Sequence, residues 1–106
     1  MTLYLSESDV AAVLDPAGAV ETVEACFQRL GQGVVVNAPR RRLRLREGSL
    51  GDMAAADLGL GLAGGKLYVA TPERATFVVC LFDTATSELV AVIEADHLGR
   101  LRTGAA

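Results

Sequence analysis

Thr76-Phe-Val-Val-Cys-Leu-Phe-Asp83, followed by the connection Thr84-Ala-Thr-Ser87 and then Glu88-Leu-Val-Ala-Val-Ile-Glu94, decides the fold. The first run is almost continuously apolar and rich in β-branched and aromatic residues, which predicts a central strand buried on both faces. The second run predicts its antiparallel partner, with Asp83 ending the first strand in a turn. Immediately upstream, Gly65-Lys-Leu-Tyr-Val-Ala-Thr71 alternates as a strand and reaches the central run through the short turn Pro72-Glu-Arg-Ala75. Farther upstream, Arg40 to Arg46 and Ser49 to Met53 read as a hairpin around Glu47-Gly48. Leu3-Tyr-Leu5 adds a short strand, and Val34 to Val36 lead into the turn-prone Asn37-Ala-Pro39.

Two helical patterns supply the second layer. Ser6-Glu-Ser-Asp9 has the form of a capping box at the head of a short helix through Leu14. Asp15-Pro16 places an N-cap and an N1 proline before Val20, Val23, Cys26, Phe27 and Leu30, which recur at helical spacing until Gly31 or Gly33. The predicted class is α+β, a mainly antiparallel, mixed sheet covered by helices on one face. The second helix reads as packing alone.

The last thirteen residues, Glu94 to Ala106, predict a third helix. Asp96 stands where an N-cap belongs, and Leu98, Leu101, Arg102 and Ala105 fall on one face. Arg102 is thereby expected to face the core. A buried guanidinium without a partner costs several kcal/mol, so an inward arginine implies an anion, either an acidic side chain or a ligand carboxylate or phosphate. The pattern runs to the last residue with no Gly-Pro exit, and the expectation is a single domain over residues 1–106 that forms the front of a longer protein.

Strand alternation sorts the arginine run into Arg40, Arg42, Arg44 and Arg46 on one face and Arg41, with Leu43 and Leu45, on the other. The four read as a solvated face or a guarded edge in preference to a phosphate contact. Arg41 is the second arginine that the pattern turns inward, either to pair with an internal acid or to anchor an acidic ligand. Lys66 opens its strand after two glycines and points with Tyr68 and Ala70 to one face. It is read as an exposed strand end, with close approach of a ligand as the alternative. Gly59-Leu-Gly-Leu-Ala-Gly64 matches G-x-G-x-x-G by letter, but it leads into a strand where a dinucleotide fingerprint must open a helix, so it is rejected. Gly65-Lys66 is followed by Leu67, which excludes a Walker loop.

Composition bounds the rest. The 106 residues are 51% hydrophobic and 22% charged, which excludes a disordered chain and allows one domain with a core. No apolar run is long enough to span a bilayer, and the N-terminus lacks the pattern of a secretory signal, so the expected address is the cytoplasm and no membrane partner is predicted. A net charge of −3 argues against a nucleic-acid binder. Cys26 and Cys80 read as core thiols, and a single histidine leaves no ligand set for a metal. His97 reads as a surface residue at a helix start in preference to a catalytic base.

Taken together, Leu3-Tyr-Leu-Ser6, Asp9-Val10, Pro39-Arg-Arg41, Gly64-Gly-Lys66, Leu81-Phe-Asp83, Ser87-Glu-Leu-Val-Ala-Val-Ile93 and above all Leu101-Arg-Thr-Gly-Ala-Ala106 resemble the N-terminal domain of the ornithine cyclodeaminase and mu-crystallin family. The resemblance runs end to end. It implies a substrate-binding domain whose sheet builds a homodimer, with NAD(H) or NADP(H) held by a following Rossmann domain that these residues do not include. It implies that Arg41, Lys66 and Arg102 grip the carboxylate of a small amino, imino or keto acid, and it assigns no cofactor-binding or catalytic residue to this chain. Gly51 falls where cyclodeaminases use an acidic residue, Met53-Ala54 replaces the usual Met-Pro, and the connection from Lys66 to the Thr76 strand is short. The expected parent activity is therefore a ketimine reductase or amino-acid dehydrogenase, with ornithine cyclodeaminase, a non-catalytic binding module or an inert truncated product as alternatives.

Overall fold

The computed structural model describes residues 1–106 and contains one seven-stranded sheet with three helices on one side. The strands are β1 (Leu3–Leu5), β2 (Val35–Asn37), β3 (Arg41–Arg44), β4 (Ser49–Asp57), β5 (Leu62–Ala70), β6 (Ala75–Asp83) and β7 (Leu89–Glu94). The helices are α1 (Glu7–Val13), α2 (Pro16–Gly31) and α3 (Asp96–Ala105). The spatial order is β1-β7-β6-β5-β4-β2, with β3 also on β4, and only the β1–β7 pair is parallel. The α+β class and the mixed, mainly antiparallel sheet are as expected.

The hairpin β4–β5 is longer than its sequence suggests, because the alanines after Met53 continue β4 to Asp57 and pair with Leu62 to Gly65. Gly59 and Gly61 thus lie in or beside a hairpin turn, Gly61 at φ 69°, and the stretch that spells a nucleotide fingerprint opens a strand. Asp57 closes this turn by accepting from the Gly59 and Leu60 amides, and it also takes the Arg29 guanidinium at 2.8 Å. That ion pair fixes the end of α2 to the end of β4.

Local signals at the first two helices hold. The Ser6 hydroxyl accepts from the Asp9 amide while the Asp9 carboxylate accepts from the Ser6 amide, and the Asp15 carboxylate accepts from Gly18. The start of α3 differs from the sequence expectation. Asp96 is the first helical residue and caps nothing, its carboxylate instead pairing with Arg100 at 3.3 Å. The cap comes from Glu7 of α1, whose carboxylate accepts from the Asp96 amide at 2.8 Å and from the His97 amide at 3.2 Å. The Glu7 amide in turn donates to Glu94 at 2.9 Å, and the Tyr4 hydroxyl donates to the same carboxylate at 2.6 Å. These two bonds hold the Glu94 carboxyl below its ordinary range.

The core lies between α1, α3 and the β1-β7-β6 side of the sheet, with Val10, Ala91 and Ile93 at its centre and Leu5, Leu14, Val79, Leu81 and Leu98 around them. α2 buries Ala19, while Val20, Phe27 and Leu30 of its predicted inner stripe are about half exposed, because α2 lies beside α3 and β2 and only one side of the stripe is covered. β6 is not buried on both faces. Its alternate residues share an open face with Val36, Ala54, Ala63, Leu67 and Val69, and Phe82 there is 43% exposed and Leu67 49% exposed. Cys80 belongs to this open face and Cys26 to the helix layer, so the sheet separates the two thiols. No helix is long and apolar enough to cross a membrane.

Because Glu7 satisfies two amides at the head of α3, Glu7→Ala should lower unfolding free energy by about 1–2 kcal/mol. Urea titration of the two proteins checks this, and loss of helical signal should precede loss of sheet signal in the variant.

Candidate functional site

Lys66 is the only lysine of the chain and sits at the middle of β5, opposite Met53 of β4 and Val79 of β6. Alternation puts it on the helix-covered face with Tyr68, while Leu67 takes the open face. Its ammonium stands 5.4 Å from the centroid of Phe77 and 5.8 Å from that of Tyr68, and the two rings are 5.2 Å apart. This aromatic floor holds the cation by its π-faces and screens it from water. α3 passes above, and a cleft of about 460 Å³ opens between them, lined chiefly by Arg40, Lys66, Phe77, Asp96, Arg100 and Arg102.

The charges in this cleft are not balanced. Three ion pairs occur in the chain, Arg29–Asp57, Arg41–Asp52 and Arg100–Asp96, and none includes Arg40, Lys66 or Arg102. Asp96, a carboxylate of the lining, is already held by Arg100. Partial burial, then Arg102, then Arg40 push the Lys66 ammonium below its ordinary pKa of 10.5. Farther along, the Arg42 guanidinium beside the Tyr68 hydroxyl lowers the phenol below 10.0, with Arg40 and Lys66 adding to the effect. Uncompensated cations that repel one another are a stored attraction for an anion.

Of the residues singled out by sequence, Lys66 and Arg102 meet at this cleft and Arg41 does not. Arg102 is exposed at the cleft and does not enter the core. Arg41 is 81% exposed and grips Asp52 through Nε and Nη2 at 3.2 and 3.1 Å. Arg40, placed by alternation among the outward arginines, lines the cleft in its stead. The difference in facing has a simple cause: alternation separates two faces without saying which carries the helices, and Leu43 marks the open apolar face. Register could have shown it, since Arg42 pairs with Gly51 and Gly51 with Tyr68, which puts the even-numbered arginines on the face of Lys66.

Gly51 has its own role in this geometry. A Cβ there would lie 2.2 Å from Cζ of Tyr68, so the ring rests directly on the glycine backbone. Asp52, one residue on, points to the opposite face. Beside the cleft runs an apolar groove of about 450 Å³ between α2, α3 and the sheet, with Met53, Val79, Leu81 and Leu98 in its lining, and it meets the cleft at Lys66 and Arg102.

The result is an α+β domain that gathers unpaired cations on a sheet beneath a helix. The chain belongs to the ornithine cyclodeaminase/mu-crystallin family, whose model matches residues 2–106. Among solved structures it is similar to a probable ornithine cyclodeaminase from Bordetella pertussis Tohama I, at 28% identity and TM-score 0.92, over 99% of this chain and 34% of the other. It is similar to an archaeal alanine dehydrogenase dimer with bound NAD, at 27% identity and TM-score 0.91, over 98% of this chain and 34% of that one. The iminosuccinate reductase of Paracoccus denitrificans in complex with NAD+ matches at 25% identity and TM-score 0.92, over 99% and 35% of the two chains. The chain thus spans about a third of the length of these structures. No curated protein sequence matches it.

The residues present do not fit a nicotinamide dinucleotide. A pyrophosphate needs free amides at a helix N-terminus after a glycine turn. Both strand-to-helix junctions here have theirs taken, at α1 by Ser6 and at α3 by Glu7, and the glycine-rich stretch is a hairpin.

The crowding of Lys66 yields a direct expectation. Its folded pKa lies below 10.5, so the folded state holds its proton less well than the unfolded chain, and this cost at neutral pH is relieved as pH rises toward 10.5. Lys66→Met should melt at a higher temperature than the wild type in low salt at pH 7. The gap should narrow with added salt and with rising pH, as followed by thermal denaturation.

Proposed function

We propose that this chain is the substrate-carboxylate-binding and dimerising part of an NAD(P)-dependent oxidoreductase of small amino or imino acids, of the ketimine reductase or amino-acid dehydrogenase type. One observation carries the reading: Arg40, Lys66 and Arg102 share one cleft and none has a carboxylate partner. Three cations above an aromatic floor suit a carboxylate, which guanidinium groups can meet with paired hydrogen bonds. Family membership and the amino- and imino-acid enzymes among the similar structures support that ligand class. Hydride chemistry belongs to NAD(H) or NADP(H) on a separate nucleotide-binding domain, so this part binds and orients but does not turn over alone. The apolar open face of the sheet supports pairing with a second copy, because an exposed patch that large is a docking surface in a soluble chain. Two unpaired thiols suit a reducing compartment, in line with the cytoplasm.

Isothermal titration of the purified chain with L-alanine, L-proline and pyruvate tests the site. Binding should weaken about ten- to a hundredfold in Arg102→Ala and in Lys66→Met, the loss of a charge-assisted hydrogen bond, and should be unaffected by Arg41→Ala. Sensitivity to Arg41→Ala with indifference to Arg102→Ala would reverse the assignment, and no binding by the folded chain would remove the site.

The proposed interface is tested separately. Sedimentation should give a dimer for the wild type and a monomer for Leu67→Glu, whose charge would be forced into the paired open faces.

A further inference from the structure

We infer that the acid this site prefers carries a long apolar side chain, which lies in the groove beneath α2. The inference rests on the carboxylate-binding reading above and adds to it where the rest of the ligand goes.

The groove is a gap in the helix layer. α2 leans on α3 and β2, which leaves the gap over the β4–β5 hairpin. Its floor is lowest at Ala55 and Gly64, cross-strand partners on the face of Lys66 that reach no farther than a methyl group. Leu81 leans into the room that Gly64 leaves, with Cδ2 2.9 Å from where a Cβ would stand. Cys26 of α2 and Leu98 of α3 line the groove from the helix side.

Charge fixes which way a ligand lies in this groove. The charged residues of its lining are Asp57, Lys66 and Arg102. Asp57 is taken by Arg29 at 2.8 Å, so the far end carries no free charge, and both unpaired cations stand at the end shared with the cleft. A carboxylate on those cations has an apolar path before it, from Lys66 along β5 to Leu62, about 13 Å at the rise of a strand. A concave site of about 450 Å³ with mostly apolar walls and its free charge at one end suits an amphipathic acid. A charged tail would lose its water there without gaining a counter-ion.

Titration of the folded chain with pyruvate, 2-oxohexanoate, 2-oxooctanoate and 2-oxoglutarate in one buffer tests this. Affinity should rise about two- to fourfold for each added methylene from pyruvate to 2-oxooctanoate, the gain of a buried CH2. The charged end of 2-oxoglutarate should leave it no tighter than pyruvate. Ala55→Gln, which puts a polar amide across the floor at an exposed position, should abolish the rise and leave pyruvate binding unchanged. A flat series would overturn the inference and leave the groove to another protein segment. A 2-oxoglutarate affinity equal to that of 2-oxooctanoate, or a rise that survives Ala55→Gln, would overturn it too. In each of these cases the carboxylate site still stands. Failure of all four acids in a chain with a native circular dichroism spectrum would remove that site and the inference with it.

Discussion

Glu7 joins three elements that are far apart in the chain. Its amide donates to Glu94 at the end of β7, and its carboxylate accepts from the first amides of α3. A helix that begins this way cannot swing freely, because its N-terminal dipole end is tied to a group anchored by the capping box of α1. The direction of α3 follows, and with it the height of Arg102 over Lys66. The cleft thus depends on a hydrogen-bond knot at the N-terminus of α3, in which no cleft arginine takes part.

The sheet imposes the second constraint. Three helices cover only part of one face, the cluster of Val10, Ala91 and Ile93 is small, and the other face is apolar and open. A two-layer domain of this size has modest stability from its own core. The unbroken hydrophobicity of β6 makes sense when its second face is also covered, and the proposed dimer would cover it. The same apolar face explains why Leu43 points away from the helices: β3 extends the open surface at its edge.

Electrostatics in the cleft runs against stability. Arg40, Lys66 and Arg102 could each have been paired, as Arg29, Arg41 and Arg100 are, yet they stand together and depress the Lys66 pKa. Under the proposed carboxylate-binding role, like charges held close without a counter-ion are folding free energy given up for binding. The aromatic floor of Tyr68 and Phe77 softens the cost through cation–π attraction and keeps the ammonium aimed at the cleft.

Sequence alone determined the local matters: the Ser6–Asp9 box, the Asp15-Pro16 start of α2, most of the strands, the α+β class, and the rejection of Gly59–Gly64 as a nucleotide loop. Each is set by residues within a turn or two of one another, or by a period of two along a strand, so no distant partner is needed to read it. It also made Arg41, Lys66 and Arg102 candidates, through the order of motifs shared with a family and, for the two arginines, through periodicity. Tertiary structure decided what alternation leaves open. Which face of the sheet carries helices made Arg40, not Arg41, a wall of the cleft, and a carboxylate from α1, not Asp96, caps α3. Periodicity defines two sides of an element, but only packing against another element says which of them is inside.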